Sequence, residues 1–151
     1  VFDGLLKKKY IRGMNALLAL LTAVSVSWSQ PVWKLYSSTP ELDILYLEQD
    51  CHDEVNGLHR TYVFLKIVNK TDSALELTWL TERYAGGICK TCGKEEYRQK
   101  VVVDAGAEIL ASCEQPNKPL MIFKKHLDLP NSSELERFEL GDFQVKKVGN
   151  Q

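Results

Sequence analysis

The sequence predicts an all-β fold: a single antiparallel β-sandwich, loosely immunoglobulin-like, following a cleaved signal peptide. Three observations carry this reading. Apolar and polar residues alternate with a period of two over several short segments. β-Branched and aromatic residues concentrate in those segments, where they suit a pleated, half-buried surface. Turn formers recur between them, as in sandwiches built from about seven short strands.

The elements follow in order. "PVWKLYS" is a short apolar-rich start, and "ELDILYLEQ" alternates without a cleanly polar side. "HRTYVFLKIVNK" is the strongest strand, with Tyr62, Val63, Phe64, Ile67 and Val68. "NKTDS" interrupts it with turn formers. "ALELTWLTERY" then sets Leu75, Leu77 and Trp79 on a dry face against Glu76, Thr78 and Leu80. "YRQKVVV" and "EILASC" flank "DAGA", which reads as a hairpin turn, and "PLMIFKKHL" is a further strand. Phe138 to Val148 closes the series, with a helical turn expected just before it, capped by Ser132 or Ser133 and carrying Glu134 and Glu136. Trp79 is available for a sandwich core, but the cysteine spacing differs from that of antibody domains.

Residues 1–29 read as a secretory signal peptide and residues 30–151 as the domain. Lys7, Lys8, Lys9 and Arg12 form a basic region, followed by the apolar run "ALLALLTAV". Ser27 and Ser29 suit a cut before Gln30. The run is too short for a stable bilayer anchor, which makes an uncleaved anchor the secondary reading. No cysteine follows it closely, which argues against a bacterial lipoprotein. A start at Met14 would discard the basic residues, so the expectation is an upstream or non-standard start, or a truncated sequence. The predicted location is periplasmic or extracellular. Beyond the leader, 15 basic residues face 19 acidic ones, a net charge of −4 without a basic stripe. That balance argues against nucleic acid as a partner. No second apolar run approaches membrane length, so the mature chain is read without a membrane span.

All four cysteines, Cys51, Cys89, Cys92 and Cys113, fall in the mature part. Pairing residues 60–69 with 74–84, and 97–103 with 107–113, as short-loop hairpins would bring all four to one end of a sheet, with His52 and His59 nearby. Three chemistries fit. Two disulfides would suit an exported chain, in any of three connectivities. A Cys89–Cys92 bridge would close only a tiny loop, whereas bridges reaching Cys51 and Cys113 would constrain more chain. A zinc or copper site could instead use Cys51, Cys89, Cys92 and Cys113, with His52 as a substitute ligand, because "CKTCGK" resembles a zinc knuckle. A redox couple is the third possibility, but such motifs usually open a helix and strands are expected here.

"DCHDE" is read as a solvated loop, and no nucleophile–base arrangement or Gly-x-Ser-x-Gly motif supports an enzyme. Trp33, Tyr36 and Tyr84 would form a sugar platform only if exposed together; packing roles are preferred. Asn69 and Asn131 head Asn-x-Ser/Thr sequons in expected turns, and Ser73 sits in "DSA", a short O-glycosylation pattern of Bacteroidetes exported proteins.

From about His59 to Asp128, roughly half the chain, the sequence resembles a group of small, uncharacterised exported proteins of Bacteroidetes. The resemblance rests on "YVFLKIVNKTDSALELTW", "TERYAGG", "CKTC", "EEYRQKVVVDAGAEI" and "SCE…LMIFKKHLDL". Ala105-Gly106 stands where a Pro-Gly-Glu turn is more usual. It implies a secreted β-sandwich with three of the cysteines in a shared pattern, and it implies no catalytic residues. The expected function is that of a non-enzymatic structural or binding module stabilised by disulfides, its partner a protein or an envelope component. A metal-binding protein is the alternative.

Overall fold

Strand boundaries in the computed structural model fall largely where the turn formers lie. The structure describes residues 31–149, so the expected leader and its cut before Gln30 lie outside the described residues. The chain forms β1 (Lys34–Ser38), β2 (Leu42–Asp53), β3 (Leu58–Asn69), β4 (Leu75–Ala85), β5 (Ile88–Cys89), β6 (Arg98–Val103), β7 (Glu108–Leu110), β8 (Met121–His126) and β9 (Arg137–Lys147). The helical segments among the described residues are two short 3₁₀ turns, Glu95–Tyr97 and Lys118–Leu120.

These strands build two antiparallel sheets. In the first, β1 pairs β2, β2 pairs β3, and β7 and β8 both pair β3. In the second, β5, β6 and β9 all pair β4. Leu42, Ile44, Val63, Leu65 and Ile67 of the first sheet share one apolar cluster with Leu75, Leu77, Trp79 and Leu140 of the second. The expected dry face of β4 is therefore present: Leu75, Leu77 and Trp79 are fully buried, and the Trp79 ring stacks on Phe143.

Both expected hairpins are absent. β3 and β4 lie in different sheets, as do β6 and β7, so "NKTDS" and "DAGA" each carry the chain from one sheet to the other. Asn69 is the physical reason. Its Nδ2 donates to the carbonyls of Ser73 (2.8 Å), Val103 (3.1 Å) and Asp104 (2.9 Å), and its Oδ1 accepts from the Thr71 backbone N–H and hydroxyl. The Gly106 N–H donates to Thr71 O, tying the two connections together. One buried amide thus satisfies backbone groups that a hairpin would have paired within one sheet.

The long hairpin is β2–β3, with twelve paired positions from Leu42–Asn69 to Asp53–Leu58. Cys51, His52 and Asp53, expected in a solvated loop, continue β2. The turn comes only afterwards, where the Asp53 carboxylate accepts from the Asn56 backbone and side chain and Gly57 adopts φ +61°. The helical turn expected before Phe138 is extended instead. Leu135 is buried and its N–H donates to Lys124 O, while the Glu136 N–H donates to Tyr84 O. Bonds to neighbouring strands replace those a helical turn would need.

Candidate functional site

The four cysteines form two disulfides. Cys51 bonds Cys113 across 62 residues, with Cα atoms 5.6 Å apart. Cys89 bonds Cys92, three residues apart, with Cα atoms 5.7 Å apart. Cys51 lies near the end of β2 in the first sheet, and Cys89 pairs with Tyr84 near the end of β4 in the second.

A change of covered face along β2 explains why "ELDILYLEQ" has no cleanly polar side. In the first half of β2, Leu42 and Ile44 are buried; further on, Gln49 and Cys51 are more covered than Glu48, Asp50 and His52. On β3, Phe64 is buried as fully as Val63 and Leu65, so that strand is covered on both faces. Cys113 reaches this second face from the segment between β7 and β8. The bridge and the hairpin end bound a cleft of about 470 Å³, lined by Asp53, Val55, Leu58, Arg60 and Tyr62 beside the two cysteines. Val55 is 94% exposed at its rim. Arg60 reaches Tyr62 Oη at 3.4 Å, and its Nε is buried without a partner among the described residues. Hydrogen bonds from Asn56, side chain first and then backbone, hold the Asp53 carboxyl below its ordinary pKa.

His52 and His59 face each other across the hairpin with Nδ1 atoms 2.9 Å apart, so one imidazole donates to the other. His126 lies against the Phe123 ring.

The expected metal set does not assemble. Cys51 and Cys113 are bonded to each other, and the donors that converge are Cys89, Cys92 and Glu82, whose ligand atoms lie within 4.8 Å of one another. His52 instead pairs with His59. Glu82 was not singled out by the sequence reading. The signal was the β4 alternation: Cys89 is opposite Tyr84, so Glu82, two residues along, shares its face. The Tyr84 hydroxyl donates to Glu82 Oε2 at 3.4 Å and lies 3.5 Å from Cys92 Sγ. The loop is clamped independently of its disulfide. The buried Thr91 hydroxyl donates to Thr81 O (2.7 Å) and accepts from the Arg83 N–H (2.8 Å), and the Lys90 N–H donates to Arg83 O. Gly93, at φ +68°, turns the chain away after Cys92.

Of the expected glycosylation positions, Asn69 is corrected. It is 1% exposed and its Nδ2, the atom a glycan would occupy, is fully engaged. Asn131 is exposed and Ser73 half-buried. Trp33, Tyr36 and Tyr84 do not form a shared platform. Trp33 packs on the core, Tyr36 stacks on Phe138 at 5.3 Å, and Tyr84 lies under the Arg137 guanidinium.

Among the described residues no helix is long and apolar enough to cross a membrane. Comparison with protein-family models, with curated proteins and with solved structures finds no match.

Proposed function

We propose that this chain is an exported, non-enzymatic β-sandwich module, immunoglobulin-like in the loose sense, that binds a protein or an envelope component through its stapled end. The observation that carries the reading is the Cys51–Cys113 bridge, which ties two distant segments together at the wall of the cleft beside the β2–β3 turn. Such a bridge belongs to an oxidising compartment, in keeping with the basic-then-apolar leader and the likeness to exported Bacteroidetes proteins. The cleft combines an exposed Val55 and Leu58 with the cationic Arg60 side chain, a mixed apolar and charged lining that suits a partner with an apolar group beside an anionic one. The edge of β1 is a poorer docking strand. A bulge at Tyr36 interrupts its register and directs the ring onto Phe138.

The test is production with the native leader, intact mass with and without reductant, and photo-cross-linking from position 55 in the intact cell. The reading expects a chain beginning at Gln30, a deficit of about four hydrogens relative to the reduced form, and a discrete adduct from position 55. A leader-bearing chain retained with four free thiols and without an adduct would overturn it.

A further inference from the structure

We infer that Cys89, Cys92 and Glu82 form a redox-gated zinc site: closed as a disulfide, and open to one Zn²⁺ when the pair is reduced. Four observations support it. The bridge closes a loop of only three residues' separation, so it constrains the unfolded chain far less than Cys51–Cys113 does. Its Cys92 end is exposed and Cys89 is half-buried, so a reductant can reach Cys92. The Thr91 clamp and the Lys90 backbone bond hold the loop against β4 without help from the sulfurs, so reduction leaves both cysteines where they are. Glu82 is half-buried, forms no ion pair among the described residues, and points its carboxylate at both sulfurs.

The chemistry balances with an external dithiol as reductant. Its thiolate attacks the exposed Cys92 Sγ, forming a mixed disulfide and releasing Cys89 as a thiolate. The Cys92 N–H already donates to Cys89 Sγ at 3.0 Å, so the leaving sulfur departs with a hydrogen-bond donor in place. The second thiol of the reductant closes its own disulfide and frees Cys92. Two electrons and two protons pass to the protein. Zinc then displaces both protons and takes two thiolates and the Glu82 carboxylate, leaving a fourth tetrahedral position for water or a partner's side chain. Three anionic groups crowded together are unfavourable without a cation. Zinc, binding only the dithiol form, draws the thiol–disulfide equilibrium toward reduction.

Gly141 makes the Glu82 position possible. A Cβ there would collide with the Glu82 carboxyl group, so Gly141→Ala moves the carboxylate without removing its charge.

The experiment uses the whole chain with Cys51–Cys113 intact. Graded dithiothreitol followed by alkylation and peptide mass mapping is expected to label Cys89 and Cys92 before Cys51 and Cys113. The dithiol form is then titrated with Zn²⁺ against a chromophoric chelator, and with Co²⁺ to read thiolate-to-cobalt charge-transfer absorption. One equivalent of zinc bound by the dithiol form and none by the disulfide form is the expected result, with affinity at least tenfold weaker in Glu82→Gln and Gly141→Ala. No uptake by the dithiol form, or equal uptake by Cys89→Ser/Cys92→Ser, overturns the site. Undiminished affinity in Glu82→Gln overturns the three-donor assignment. Far-ultraviolet circular dichroism checks that each variant is folded.

Discussion

Asn69 ends β3 with its amide against carbonyls from two separate connections, and it decides where the chain goes next. In the sequence it looked like a turn residue and a glycan acceptor, because Asn-Lys-Thr supports both readings. A residue's burial depends on what the rest of the chain packs over it, and nothing local to Asn69 reports that Val103 and Asp104 arrive there, 34 and 35 positions later. Glu82 was hidden for the same reason: it became a candidate ligand only through the strand that set Cys89 beside it. Asn69→Ala leaves the carbonyls of Ser73, Val103 and Asp104 without that donor in a largely dry site. A loss of about 2–4 kcal/mol is expected, read as a lower urea midpoint at unchanged m-value. A loss below about 0.5 kcal/mol would mean that water replaces the amide freely. In a glycosylating host, the folded chain is expected to carry sugar at Asn131 and none at Asn69, which peptide mass mapping decides.

Strands were the legible elements, and their sheet membership was not. Period-two alternation in β4 reports one dry face, and Leu75, Leu77 and Trp79 occupy it. Alternation cannot say which strand lies alongside, and a short turn looks alike whether it closes a hairpin or crosses between sheets. β2 was harder still, because its covered face changes midway along its length. The two bridges act on different elements and should be separable. The chain-entropy relation gives about 4 kcal/mol for a loop as long as that closed by Cys51–Cys113, and about half as much or less for Cys89–Cys92. Cys51→Ala/Cys113→Ala is therefore expected to unfold at markedly lower denaturant and to raise hydrogen exchange between Ala111 and Leu120, the segment held to β2 by the bridge. Cys89→Ser/Cys92→Ser should lose about half as much or less, with Thr91 still holding that loop. Equal losses in the two double variants would show that loop length does not govern their contributions.

Across the whole molecule, exposed charge pairs lie between elements that the core has already brought together. Lys70 bonds Asp43, joining the β3–β4 connection to β2; Lys100 bonds Glu76 between β6 and β4; Arg98 bonds both Glu95 and Asp142, reaching β9. Each pair is weak in water, but together they set the response to acid. Asp43 is held below its ordinary pKa chiefly by the hydrogen bond from Lys70, Glu76 by Lys100, Glu95 by Arg98, and Asp142 by Gln144 and then Arg98. A carboxyl whose pKa is lower folded than unfolded binds protons more readily in the unfolded chain. Its contribution is complete above the unfolded value and is lost as pH falls through the folded one. Stability should therefore be flat from neutrality to about pH 5, then decline through roughly pH 4 and below. Urea midpoints across that range should show the decline. The slope should be shallower in Asp43→Asn, which cannot titrate, and in high salt, which screens the pairs. A midpoint constant down to about pH 3 would mean that these carboxylates keep the same partners, or none, in both states, and that acid resistance lies in the buried cluster around Trp79 alone.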